Sequence, residues 1–166
     1  MKRGNKSQNL DVPKRNRKIT LTNGSKDSVA ELVNLSNQWW KEELFGYFKQ
    51  KGYEFTSCCR HKKFRIKEPY YCGEIDFLLE NGDFACLIEV KTNLSVDDVK
   101  DHIEKLGKYR IDADGRGDNR RFLAAVGGGF VRENVRKFAQ REGMFVVQQS
   151  GDNVEILVPE GKPKVW

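Results

Sequence analysis

Asp76, Glu89 and Lys91 offer two carboxylates and an ammonium within one short stretch, enough to build a cation site. The stretch is Gly73–Lys91, GEIDFLLENGDFACLIEVK, in which two apolar runs flank Asn81-Gly82. Asn-Gly predicts a two-residue type I′ turn, because both central residues of that turn need positive φ. Such a turn sets Glu80 against Asp83, Glu74 against Glu89 and Asp76 against Leu87. Side chains alternate between the faces of a strand. Glu74, Asp76, Glu89 and Lys91 then share one face, while Ile75, Phe77, Phe84, Cys86, Ile88 and Val90 take the other. Asp76 and Glu89 become diagonal neighbours roughly 5–8 Å apart, which lets two carboxylates hold one metal ion.

The run Phe84–Val90 is almost wholly apolar and reads as a strand buried on both faces. Carboxylates beside it lose hydration and repel each other unless something compensates. A divalent cation compensates, and so does the Lys91 ammonium. Oxygen-rich sites of this kind favour Mg²⁺ or Mn²⁺ over zinc. The plainer alternative is an exposed sheet face carrying ordinary cross-strand charge pairs.

Asp76 followed by Glu89-Val90-Lys91 resembles the signature of the PD-(D/E)xK nuclease superfamily. This is the restriction-endonuclease-like fold, which includes archaeal Holliday-junction resolvases. The wording GEID…EVK also resembles that of uncharacterised bacterial branches. The resemblance runs from about Trp39 to Leu157 and is strongest over Gly73–Lys91. It implies an α/β fold with a mixed central β-sheet flanked by helices and an αβββαβ core. It implies that Asp76, Glu89 and the main-chain carbonyl of Val90 hold the metal, and that Lys91 orients or activates the attacking water. It implies an extra acidic ligand on the first helix, with Glu42 and Glu43 as candidates; Glu74 is a further candidate for the shell. Ile75 stands where the motif has its Pro. The implied activity is metal-dependent hydrolysis of phosphodiester bonds, with DNA favoured over RNA. Two alternatives stay open: a non-cutting nucleic-acid-binding protein on the same fold, and a protein-interaction module with a basic arm.

A chain of 166 residues, 38% hydrophobic and 33% charged, suits one domain with a modest core. No apolar run approaches the ~20 residues of a membrane helix, and no charged-then-apolar leader opens the chain. The expectation is a cytoplasmic protein with no membrane partner. Cys58, Cys59, Cys72 and Cys86 lack secreted spacing, so reduced thiols are expected. Adjacent cysteines point to opposite faces of a strand and no Cys-x-x-Cys pair exists, which argues against zinc at Cys58, Cys59, His61 and Cys72. His61 and His102 read as surface residues.

The formal net charge is +6. Residues 1–20 carry Lys2, Arg3, Lys6, Lys14, Arg15, Arg17 and Lys18 against Asp11 alone, so the excess belongs to an arm. Lys14, Arg15, Arg17 and Lys18 are candidate phosphate contacts; a solubilising disordered leader is the alternative.

Residues 1–26 read as this basic, disordered arm, 27–158 as the nuclease-like α/β domain and 159–166 as a C-terminal tail. Val29, Leu32, Val33, Trp40, Leu44, Tyr47 and Phe48 predict a helical region over Asp27–Lys51, with a fresh start at Ser36. A strand follows over Tyr53–Lys67. Its cations Arg60, Lys62, Lys63, Arg65 and Lys67 interleave with aromatics, as a strip along a phosphate backbone would. An edge strand defended by lysines would look the same. Ser95 caps the next helix, which runs to Arg110 and packs the hairpin's back face, with Lys100 or His102 near the substrate. Ile111–Arg120 reads as a loop, Phe122–Val126 as a buried strand and Gly127–Gly129 as a tight turn. A helix over Val131–Arg141 and strands over Met144–Gln148 and Val154–Val158 complete the order. Helices alternating with strands predict parallel crossovers. A homodimer would suit the cutting of two strands, although no interface is legible.

Overall fold

The computed structural model describes residues 37–150 and 153–166. The expected arm, with Lys14, Arg15, Arg17 and Lys18, lies outside the described residues, as do the first part of the expected helix and the side chain of Trp40. The elements are α1 (Asn37–Gln50), β1 (Ser57–Ile66), β2 (Tyr71–Glu80), β3 (Phe84–Leu94), α2 (Val96–Gly115), β4 (Arg121–Val131), α3 (Glu133–Arg141), β5 (Phe145–Ser150) and β6 (Asn153–Leu157). The protein is α/β, with a mixed six-stranded sheet in the order β1-β2-β3-β4-β5-β6. β1, β2 and β3 form an antiparallel meander. α2 and α3 cross over between parallel β3, β4 and β5, and β6 returns antiparallel. Among the described residues no helix is long and apolar enough to cross a membrane.

Each face of the sheet has its own core. On one, Leu44 and Phe48 of α1 meet Phe77, Leu79, Cys86, Ile88, Leu123 and Phe145. On the other, Val99, Leu106 and Tyr109 of α2 and Val135 of α3 meet Leu78, Leu87, Phe122 and Val126. Each such Leu, Val or Phe contributes roughly 1.5–3 kcal/mol by leaving water. The C-terminal tail returns to the helix side, where the Trp166 N–H donates to the Phe122 carbonyl at 2.9 Å.

The hairpin differs from the expected two-residue turn. Glu80 pairs with Ala85 and Phe77 with Ile88, so four residues connect the strands. Neither Asn81 nor Gly82 takes positive φ. The Asn81 side chain makes the turn instead, its Oδ1 accepting from the N–H groups of Asp83 at 2.9 Å and Phe84 at 2.6 Å. The register moves by two residues, and a shift of two preserves the faces.

The capping box at the start of α2 forms as expected, with Ser95 Oγ accepting from Asp98 N–H and Asp98 Oδ2 from Ser95 N–H. The helix continues past Arg110 to Gly115, through part of the expected loop. Ala113 extends the buried stripe of Leu106 and Tyr109, and ion pairs Arg110–Asp114 and Arg116–Asp112 span successive turns. Gly127–Gly129 lies inside β4 and is not a turn. A Cβ at Gly128 would come within 2.9 Å of the Lys91 carbonyl oxygen, so glycine lets β4 run close beside β3.

The ladder between β2 and β3 is recorded only as far as Phe77 and Ile88, whereas β1 and β2 stay paired to Ile66 and Tyr71. The β1–β2 ribbon therefore leaves the sheet at Asp76 and bends over α2. Phe64 meets Tyr109 edge-on, with centroids 5.1 Å apart, and Lys108 Nζ lies 4.1 Å from the Tyr71 ring centre. His61, in β1 opposite the bend, has φ 51°. The bend puts Ile75 in the helix-side core while Phe77 stays on the α1 side, which corrects their expected common face.

Gly73 pairs with Phe64, whose ring covers it; a Cβ there would lie 2.4 Å from a ring carbon. Gly73→Ala is expected to lower unfolding stability by about 1–3 kcal/mol in a urea titration, because the ring must leave its place over the ribbon.

Candidate active site

The parting of β2 from β3 makes a fork, and Asp76 sits in it. Asp76 Oδ2 accepts the Val90 N–H at 2.8 Å, a bond that a continuing ladder would have supplied. A strand residue presents its N–H and C=O on the same edge, so the Val90 carbonyl faces the fork too. One step past the last recorded pair, Asp76 comes level with Glu89. This brings the two closer than the diagonal placement expected from the sequence.

Glu89 is buried between two ammonium groups. Lys91 Nζ lies 2.9 Å from Oε1 and Lys105 Nζ 2.7 Å from Oε2. Burial alone would raise its pKa, but the hydrogen bonds from Lys105 and Lys91 outweigh it and hold the carboxyl below its ordinary value. Asp76 goes the other way. Burial raises its pKa and the Glu89 charge adds to that, against the Val90 N–H and the two lysines. The Lys91 pKa is raised, chiefly by its hydrogen bond to Glu89. Asp76, Glu89, Lys91 and Lys105 thus form one electrostatic unit.

Helix α2 covers the carboxylate face, not the back of the hairpin. It brings Lys105 to the site, whereas Lys100 pairs with Asp97 at 3.2 Å on the exposed side. His102 is buried and not a surface residue. Its Nε2–H donates to the Leu87 carbonyl at 3.2 Å, and Nδ1 has no partner. Burial holds its pKa down to about 4, so the ring is neutral at neutral pH. Sequence reasoning missed Lys105 and the burial of His102. Yet position 102 falls in the apolar stripe between Val99 and Leu106, a signal that was present.

Glu74 is partly exposed and its Oε1 lies 2.8 Å from His61 Nδ1. Donor atoms of His61, Glu74 and Asp76 all lie within 4.8 Å of one another. Glu43 is not brought to the fork. It sits on α1, on the other face of the sheet; burial raises its pKa, against a hydrogen bond from the Val154 main chain.

β1 is one of the two edge strands. Lys62, Lys63, Arg65 and Arg116 line a cleft of about 650 Å³ whose wall includes Glu74. Lys67 is exposed just beyond the strand, and Arg60 lies over the Phe77 ring, 5.5 Å from its centre. Arg120 is tied to Asp118 at 2.6 Å and Glu80 at 2.8 Å.

The donors fit an oxygen-seeking divalent cation. Asp76 commits Oδ2 to the Val90 N–H, which leaves Oδ1 as its donor towards a cation, and the Val90 carbonyl points to the same space. Glu89 would join them if Lys91, the more exposed of its two partners at 43% against 19%, released Oε1. Gly128 pairs with Lys91, and its lack of a side chain lets β4 lie close beside that residue. Set against known proteins, the chain matches no family model, no curated protein and no solved structure.

His102 makes stability depend on pH. Between pH 6.5 and about 4 the unfolded chain binds a proton at this ring that the folded chain refuses, so stability falls as pH falls through that window. His102→Leu removes this dependence. Urea unfolding at pH 7.5 and 4.5 should show the parent losing roughly 2–3 kcal/mol more than the variant over that interval.

Proposed function

We propose that this chain is a divalent-metal-dependent nuclease with a restriction-endonuclease-like core, hydrolysing phosphodiester bonds of DNA. The observation that carries the reading is the meeting of Asp76, Glu89 and Lys91 at a fork between strands, with Lys105 behind them. The element order α1-β1-β2-β3-α2-β4 also agrees with the core that the motif implies.

Asp76 Oδ1, the Val90 carbonyl and Glu89 would hold Mg²⁺ or Mn²⁺. The chemistry a divalent cation supplies there is charge neutralisation of the phosphodiester and a lowered pKa for water. The two lysines divide the remaining work. Lys105, mostly covered, keeps Glu89 ionised, while half-exposed Lys91 can turn towards the substrate. Its ammonium then faces charge building on phosphorus. His102 stays neutral and braces the Leu87 carbonyl beneath Glu89. The cations lining the β1 cleft supply backbone contacts that carry no base information.

A second reading has its own support: both oxygens of Glu89 are already paired with lysines, as in a purely structural charge cluster on a non-cutting DNA binder. Plasmid cleavage across a Mg²⁺ and Mn²⁺ titration separates the two. The parent should cut, and Asp76→Asn and Lys91→Ala should each lose about 10²-fold or more in rate while still binding DNA. Metal-independent binding with no product from the parent at any concentration leaves the non-cutting reading.

Replacing Lys62, Lys63 and Arg65 together by Ala should weaken DNA binding uniformly across sequences. It should also flatten the plot of log affinity against log salt by about 2–3 units. An unchanged slope would remove β1 from the interface.

A further inference from the structure

We propose a second cation site at His61, Glu74 and Asp76, one that takes a transition metal such as Mn²⁺ or Zn²⁺ in preference to Mg²⁺. The set is mixed: one imidazole from β1 and two carboxylates from β2, gathered where the ribbon bends. Their donor atoms lie within 4.8 Å of one another, and His61 Nδ1 and Glu74 Oε1 are 2.8 Å apart. Two ligands at right angles around a cation, each about 2.1 Å from it, stand about 3 Å apart. The pair already stands at that spacing, held by the Nδ1–H···Oε1 hydrogen bond, so a cation takes the place of the Nδ1 proton, which moves to Nε2 or to solvent, and both donors turn towards it. Asp76 contributes through Oδ1, since Oδ2 is committed to the Val90 N–H.

Glu89 sharpens the assignment. Both of its oxygens carry an ammonium at 2.9 Å or less, so a cation arriving there must displace a lysine. Among the described residues Glu74 bonds to His61 and Asp76 to the Val90 N–H, so a cation on the His61 side takes no lysine from a hydrogen bond. Imidazole nitrogen suits Zn²⁺ and the later transition metals best and is accepted by Mn²⁺ alongside oxygen donors, whereas Mg²⁺ seeks oxygen alone and keeps its waters. The His61 side is open, and Glu74 is shared with the cationic cleft. A metal there would sit between the fork and the path of a phosphate backbone. The site would exist whether or not the chain cuts DNA, and its test needs no DNA.

The probe is Mn²⁺ added to the metal-free full chain, followed by electron paramagnetic resonance with detection of nitrogen coupling. The chain has two histidines and the other, His102, is buried, so the coupling reports His61. His61→Asn is the informative variant, because Asn tolerates the left-handed φ of 51° better than Ala. The parent should bind Mn²⁺ with an imidazole signal that survives excess Mg²⁺. His61→Asn should lose that signal and weaken Mn²⁺ binding about tenfold or more, and Glu89→Gln should keep the signal. Circular dichroism confirms that each variant is folded. The proposal is overturned if the parent shows no nitrogen coupling or if the coupling persists in His61→Asn. It is overturned equally if Mn²⁺ binding disappears with Glu89→Gln and is unchanged with His61→Asn. Those outcomes leave the cleavage reading standing, since that reading needs only the oxygen ligands.

Discussion

Glu89 is an ionised carboxylate under the helix layer, and two lysines have to reach it. Taking such a group out of water costs several kcal/mol unless cations and hydrogen bonds replace the solvent. One of the two, Lys91, comes from the same strand, two residues on. The other must come from whatever covers the face, and that is α2, which supplies Lys105. The β3–α2–β4 crossover is thereby fixed to the carboxylate side of the sheet. Ser95 sets where the helix begins and so where its Lys105 falls. His102 occupies the same face one turn earlier, with no room for charge, and the neutral ring that burial imposes is the form that fits beside two ammonium groups.

The fork follows from a conflict over β2. Its second half pairs with both β1 and β3, and its first half pairs with β1 alone. Had the ladder continued, backbone would fill the space in front of Val90. Instead the ribbon follows Phe64 and Tyr71 onto α2, and one ladder bond is lost at the point of departure. Asp76 replaces it with a charge-assisted bond to the Val90 N–H, of the stronger class. A polar space is left between the strands with an acid at its apex.

Much of this could be read in the residues, for identifiable reasons. Strand parity placed Asp76, Glu89 and Lys91 together, and it survived a wrong turn type because the error in register was even. Asn81 did mark the turn, but through its side-chain oxygen and not through a left-handed backbone. The end of α2 is hidden in the sequence because Gly115 and Gly117 break the pattern just beyond Ala113, which continues the buried stripe. The glycines of β4 suggest a turn in the sequence because glycine marks tight approach and tight bending equally well; only the neighbouring Lys91 carbonyl distinguishes them. His61 was beyond reach. Its partnership with Glu74 depends on the register of β1 against β2, and the link Lys67–Tyr70 carries no turn of recognisable length to set it. Glu43 was drawn in by analogy, and which face of the sheet α1 would cover is not written in α1 itself.

The charges also divide the proposed function between two places. In the fork, Asp76 and Glu89 balance Lys91 and Lys105, so the unit as it stands neither attracts nor repels a polyanion strongly. Attraction would come from the ribbon, where Lys62, Lys63, Arg65 and Arg116 outnumber Glu74 and Asp112 along the same cleft. On that proposal a divalent cation would tip the fork to positive and free Lys91 from its role as counter-charge to Glu89 Oε1. Holding the backbone and readiness to act on it are then separate properties of neighbouring groups. The bend at His61 and Asp76 joins them, because it swings the cationic edge strand out of the sheet and opens the acidic apex in the same movement.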